Sequence, residues 1–363
     1  MRILAVDVGT GTQDILVFDS SKLVANCIKM VIPSPTALVA QRIAEATTHG
    51  QPILLTGVTM GGGPSKRALA RHTELGLAAY ATVEAALTFH DDLEVVKGMG
   101  VTIVAPDEVL RSPDVQIIEL KDVNLAAIRQ ALDDFGIDHR FDAIAVAVLD
   151  HGFAPPGVSN RAFRFDYLRR LMAQRNELGA FAYLAPELPE HLTRMKAVAK
   201  SVYADVPLLL LDTGVAAAMG TLQDDQVSQH DDLVTVNMGN SHTIAFHLHG
   251  NSIEGFFEHH TRLLDIVSLD SMITRLVRGT LTNDEVYGAG GHGVVVIGRD
   301  RRKPFVATTG PRQDVIAGSS LKPHRAVPHG DTMLAGCYGL IGAFALRMDA
   351  WREEIGRALA RDA

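Results

Sequence analysis

The chain has 363 residues, too many for one ordinary core, so two domains are expected. It is 47% apolar and 21% charged with only 6% aromatics, so a globular core resting on Val, Ile, Leu and Ala is expected. A net charge of −8 argues against nucleic acid or an anionic membrane as the main partner, and Cys27 and Cys337 offer neither a disulfide framework nor a zinc pattern.

The N-terminal residues reach Asp7 after four apolar residues, too few for a signal segment, and no apolar stretch is long enough to span a membrane. A cytoplasmic location is expected. Residues 3–6, 15–18 and 24–32 read as three antiparallel strands joined by tight turns. A helix over 36–48 carries Val39, Ile43 and Ala46 on one face, and a short strand over 53–56 follows. The Gly61-Gly62-Gly63-Pro64 turn then opens a helix running to Leu75, with Pro64 at a first helical position. A meander extended by parallel strands is a mixed α/β sheet.

Strands near 101–104 and 142–149 and helices near 82–98 and 124–135 continue the alternation. Residues 150–190, irregular and proline-containing around a basic helix at 161–175, read as an insertion or a cleft-lining segment. A helix at 189–203 and a strand at 208–211 precede a second meander over 233–236, 242–248 and 253–258. A helix near 262–278 and a glycine-rich turn at 288–293 come next. This second β-β-β-α pattern echoes the first and points to a duplicated architecture. The expected division is a first domain over 1–211 with an insertion near 150–190, a second over 212–345, and a C-terminal helix over 346–363.

The turn between the first two strands is Asp7-Val8-Gly9-Thr10-Gly11-Thr12. Gly9 and Gly11 leave backbone N–H groups open and the hydroxyls of Thr10 and Thr12 add donors, a combination that suits phosphate oxygens. Asp7, at the strand end, suits Mg²⁺ opposite those phosphates. A hairpin that merely needs glycine would read the same way. The second meander repeats the device with Asn237, Gly239, Asn240 and Ser241, so that two turns could grip a polyphosphate from both sides. Gly310 closes a third strand, at the kind of turn where α/β sheets bind ligands. Gly336, Gly339 and Gly342 recur along a helix, where each costs about 1 kcal/mol relative to alanine. That stripe is expected to cross closely over the small-faced helix at 215–220.

In this order the segments resemble the superfamily of acetate and sugar kinases, heat-shock chaperone ATPases and actin. Residues 7–19 and 234–248 resemble its two phosphate motifs, 304–318 its adenosine motif, and 212–222 and 331–345 its connecting helices. Asn237 stands where many relatives carry Asp, and Thr309-Gly310-Pro311 where a Gly-Gly pair is usual. Segments from Tyr80 to Leu93 also resemble an uncharacterised family once labelled pyruvate formate-lyase activating enzymes. The superfamily resemblance implies two ribonuclease-H-like domains with mixed β-sheets around an interdomain nucleotide cleft, with ATP and Mg²⁺ as cofactors. It implies an ATP-dependent phosphotransferase acting on a small molecule, or alternatively an ATPase switch acting on an unknown protein partner; either is compatible with a homo-oligomer. The label implies radical iron–sulfur chemistry, which needs a closely spaced cysteine triad that two remote cysteines do not supply.

Asp212, ending the strand at 208–211, is the base in the kinase pattern or else a helix N-cap. Asp150-His151, ending the strand at 142–149, offers substrate binding or acid–base chemistry, or simply a turn. His247 and His249 share a strand face, and Glu258-His259-His260 end the next strand, so they read as metal ligands or as a surface pair. Arg161, Arg164, Arg169 and Arg170, on one basic helix, read as a solvated face ahead of a surface meeting an anionic substrate, and Arg299 to Lys303 as a loop.

Overall fold

The computed structural model describes residues 1–105, 114–155, 157–298 and 303–360. Pro156 and the basic run at 299–302 lie outside them. Strands β1 (Arg2–Val8), β2 (Thr12–Asp19) and β3 (Ile28–Pro33) form the expected antiparallel meander. Helix α1 (Pro35–Thr48) follows; Ser34 caps it by accepting from the Ala37 amide, and Val39, Ile43 and Ala46 are buried on one face.

The chain then leaves this sheet. Strands β4 (Ile53–Gly57), β5 (Ala79–Ala81), β6 (Val101–Ile103) and β7 (Gln116–Leu120) form a separate parallel sheet in the order β6-β5-β4-β7. Helices α2 (Gly63–Glu74), α3 (Val83–Ala86) and α4 (Leu93–Gly98) connect its strands. This sheet has its own apolar core around Ile53, Leu55, Leu69 and Ile118. The inserted unit is therefore here, whereas sequence reading placed these strands in the first sheet.

Helix α5 (Leu125–Asp134) leads back to β8 (Ala143–Ala147), which pairs in parallel with β1. Helix α6 (Asn160–Gln174), β9 (Tyr183–Leu184), α7 (Thr193–Ser201) and β10 (Leu208–Leu211) complete a sheet of order β3-β2-β1-β8-β10-β9. Both faces of β8 and β10 are covered, which is why each reads as an unbroken apolar run. Helix α8 (Thr213–Thr221) crosses to the second half.

There, β11 (Asp232–Met238), β12 (His242–His249) and β13 (Ser252–His260) repeat the meander. After α9 (Ile266–Val277) and α10 (Asn283–Gly288), β14 (Gly293–Val296) adds to the outer edge of β13. Strands β15 (Phe305–Thr309) and β16 (His324–Arg325) extend β11 in parallel, giving the order β14-β13-β12-β11-β15-β16. Helices α11 (Ala335–Arg347) and α12 (Asp349–Leu359) follow. Each half is thus a meander with parallel strands added beside its first strand, the ribonuclease-H-like pattern, built twice.

The two connecting helices are exchanged. Helix α8 follows the first sheet and reaches the second, where Thr221 Oγ1 lies 3.3 Å from Thr309 Oγ1. Helix α11 follows the second sheet and returns to the first, where Cys337 Sγ meets the Asp14 carbonyl at 3.2 Å. They cross where glycine permits: a Cβ at Gly220 would overlap the Ala335 carbonyl, and one at Gly339 the Ala216 carbonyl. Among the described residues no helix is long and apolar enough to cross a membrane.

Candidate functional site

The two glycine turns are built alike. In the first, the Gly9 amide donates to the Thr12 carbonyl at 2.9 Å; in the second, the Gly239 amide donates to the His242 carbonyl at 2.9 Å. A residue after each third strand then pins the turn. The Ser34 amide donates to Gly11 and its hydroxyl to Thr10 (3.0 and 2.6 Å), while Thr261 does the same to Ser241 and Gly239 (2.9 and 2.8 Å). The tips face one another: a Cβ at Gly11 would collide with the Asn240 side chain. Gly310, at φ +94°, brings the β15 turn under them, with room for no Cβ between the Met238 carbonyl (2.6 Å) and Asn237 Oδ1 (2.7 Å).

These turns open onto a cleft of about 400 Å³ between the halves. Asp7, Gly9, Thr10, Thr12, Asn237, Gly239, Asn240, Ser241 and Gly310 line it, and so do Asp150, His151 and Asp212. Gly11 stands at the turn tip against Asn240 rather than in the lining. The inserted sheet contributes a further wall through Thr59, Gly61, Gly62, Gly63 and Lys66.

Asp7 is buried at the floor, where its Oδ1 accepts from Thr213 Oγ1 at 2.6 Å. Gly336 of α11 lies so close to its other oxygen that a Cβ there would overlap it. Burial raises the Asp7 pKa to about 7, against the Thr213 hydrogen bond and with Asp212 adding to the rise. Asp14 faces Asp7 in the β1–β2 register, and burial together with the Asp7 charge raises its pKa to about 8. Its Oδ1 is buried without a hydrogen-bond partner. Sequence reading missed Asp14; the signal was a carboxylate opening an otherwise apolar strand.

Asp212 caps α8, its Oδ1 accepting from the Gly214 amide at 3.0 Å. Its Oδ2 accepts from Arg164 Nη2 at 2.8 Å. Burial raises its pKa, against the pull of that guanidinium. Arg164 also donates from Nε to Glu258 at 2.9 Å and from Nη1 to the Asp150 carbonyl at 2.8 Å, and only 4% of it is exposed. The expected solvated face of α6 is thus wrong for this residue. Arg164 lies one and two turns before Leu168 and Met172, both buried, so the helical period already placed it on the inward stripe. Asp150 gives both oxygens to backbone amides, Gly152 and Met195, each at 2.8 Å, and so fixes the strand end and the start of α7.

The histidines divide. His247 is buried 3.0 Å from Asp232, and His249 is exposed at the end of β12; neither lies with the other ring-bearing residues of the cleft. His151, His242 and His292 come together instead, each offering one ring nitrogen within 4.8 Å of the others. His292, in the glycine-rich turn at 288–293, was not singled out by sequence.

No curated protein matches the sequence. Solved structures similar in fold include a ROK-family glucokinase from Streptomyces griseus in complex with glucose and AMPPNP, at 12% identity and TM-score 0.34, covering 95% of this chain and 99% of that one. They also include the ethanolamine utilization protein EutJ from Carboxydothermus hydrogenoformans, at 11% identity and TM-score 0.38, with coverages of 94% and 89%. A third is the activator of the 2-hydroxyisocaproyl-CoA dehydratase from Clostridium difficile with bound ADPNP, at 12% identity and TM-score 0.34, with coverages of 97% and 99%. One family model spans residues 60–315, which take in most of the inserted sheet, β8, α8 and the second meander, and the chain belongs to that family, described as "Putative pyruvate format-lyase activating enzyme (DUF1786)".

Proposed function

We propose that the cleft binds ATP with Mg²⁺ and that the protein is an ATP-dependent phosphotransferase acting on a small molecule. The observation carrying this reading is the pair of like-built turns, Gly9–Thr12 and Gly239–His242, aimed at each other across the cleft. Their open amides and hydroxyls offer donors to a polyphosphate from two sides. Asp7 and Asp14 fit a hard divalent cation: they are oxygen donors only, side by side and buried, and one Asp14 oxygen lacks a partner. Mg·ATP, when bound, supplies a transferable phosphoryl group whose charge the metal shares. The chain's own residues hold the phosphates, exclude water and present Asp212 as the group that takes the proton from an acceptor hydroxyl. The inserted sheet and the loop after β8 would wall the acceptor.

The Arg164 bridge favours a second reading, an ATPase switch acting on a partner protein, because both Asp212 oxygens are already engaged, one by the Gly214 amide and one by Arg164. Titration with ATP and Mg²⁺ in a melting experiment, followed by turnover assays, separates the two. Mg·ATP raises Tm by mass action. Asp7→Asn weakens nucleotide binding itself, whereas Asp212→Asn retains binding and abolishes phosphoryl transfer, since asparagine still caps α8 but accepts no proton. Absence of any Tm shift with nucleoside triphosphates overturns the cleft assignment. A wild type that closes on ATP yet phosphorylates no acceptor establishes the switch.

A further inference from the structure

Three imidazoles converge beside the cleft from residues far apart in the chain. His151 follows β8 in the first half, while His242 opens β12 and His292 precedes β14 in the second. The ring centroids of His151 and His242 lie 5.2 and 4.7 Å from that of His292, and the three candidate ligand nitrogens are within 4.8 Å of one another.

His292 is the most firmly held. Its amide donates to the Glu258 carbonyl at 2.9 Å, and its Nδ1 lies 3.0 Å from Glu258 Oε1. The glycines on either side have no room for a Cβ: Gly291 is against His259 and Val286, and Gly293 against Phe165. Arg161 adds a brace from α6, donating to the Gly291 carbonyl at 2.7 Å. His292 Nδ1 and Glu258 Oε1 are both buried without a hydrogen bond as the ring stands; a turn of the ring that aligns them leaves Nε2 for a ligand, a carboxylate behind a histidine orienting it toward a metal.

We propose that His151, His242 and His292 form a mononuclear site for a transition-metal ion of the Zn²⁺ class. Three neutral nitrogen donors suit Zn²⁺ or Co²⁺ and not Mg²⁺ or Ca²⁺, which take oxygen. A tetrahedral ion with bonds of about 2.0–2.1 Å needs nitrogens about 3.4 Å apart, so small ring rotations within the present spacing complete the set. The charges around it balance, Asp212 and Glu258 against Arg164 and Arg161. Three protein ligands leave one position open, and His151 and His242 both line the cleft. That position faces the cleft and takes water or an oxyanion, such as a carboxylate or phosphate, of a molecule bound there. The ion would also tie the first half of the chain to the second. The site shares the cleft, and His242 closes the second glycine turn, but metal binding by the three imidazoles does not rest on the nucleotide reading.

Cobalt titration of the full, chelator-treated chain tests the site through its visible d–d absorption. One Co²⁺ per chain with a tetrahedral spectrum is expected, displaced by Zn²⁺ and indifferent to excess Mg²⁺. His242→Ala and His292→Ala each lower the affinity at least about 100-fold, while His249→Ala, on the exposed end of β12, leaves it unchanged. His151→Gln lies in a loop; loss of cobalt binding at an unaltered metal-free Tm separates ligand loss from unfolding. No stoichiometric binding, or binding indifferent to His151, His242 and His292, overturns the proposal.

Discussion

Asp7 and Asp14 stand opposite one another on one face of the β1–β2 pair, both buried, with folded pKa values of about 7 and about 8 against an ordinary 3.8. The native state therefore holds protons that the unfolded chain releases. Stability from this pair is full below about pH 4 and is lost as the pH rises through the folded values. A divalent cation replaces those protons, so Mg²⁺ raises Tm more at about pH 8 than at about pH 5. Differential scanning across that range checks it, and Asp14→Asn flattens the pH slope. A metal-free Tm that climbs steadily to pH 8 would remove the carboxyl pair as a cation site. The same residue scale shows what could be read from sequence. Gly239 and Gly310 were legible because their turns leave no room for a Cβ, and Gly9 because the matching turn is tight against the Thr12 carbonyl. Arg164 was legible in principle from its spacing to Leu168 and Met172, but charge masked it. The histidine cluster was not legible, since His151, His242 and His292 meet only through pairing of distant strands, while the neighbours His247 and His249 drew attention by adjacency.

Helices and strands were legible wherever their period was long enough to count, as in α1, α6 and the two meanders. Membership of a sheet was not. Strands β4 to β7 have the apolar character of first-sheet strands, and which edge they join depends on contacts that no local window contains. The crossing of α8 and α11 is the element-scale feature most exposed to test. Its backbones approach so closely that a Cβ at Gly339 would overlap the Ala216 carbonyl, with the Gly220 amide 2.9 Å away. Backbone on a buried helix yields far less than a side chain. Gly339→Ala is expected to destabilise by roughly 1–3 kcal/mol, despite alanine's better helix propensity, and Gly339→Leu by more. Urea unfolding measures it. Gly356, in α12, has open space around its Cβ position, so Gly356→Ala should be neutral or stabilising. Equal effects at the two positions would contradict the close crossing.

At the scale of the whole molecule, one guanidinium joins parts that the chain separates. Arg164 of α6 reaches Glu258 of β13 and Asp212 at the entrance to α8. Against the upward push of burial, Arg164 and His292 hold the Glu258 carboxyl well below its ordinary value. Arg164→Met leaves two buried carboxylates uncompensated, and a loss of about 3–5 kcal/mol in unfolding free energy is expected. Chemical denaturation at neutral pH checks it; an unchanged midpoint would mean the bridge does not hold the halves together. The exchange of α8 and α11 carries a further consequence, for the order in which the protein is made. Cys337 packs against the backbone of Ala5 and Asp14, and Gly336 against Asp7, so β1 and β2 are covered by a helix made long after them. During synthesis the first meander must wait, its inner face bare, while more than 300 further residues are translated. The inserted parallel sheet, with its own core, has no such wait and can fold while the rest is still emerging. A nascent chain of this design is most in need of chaperone cover late in its elongation, just before α11 arrives.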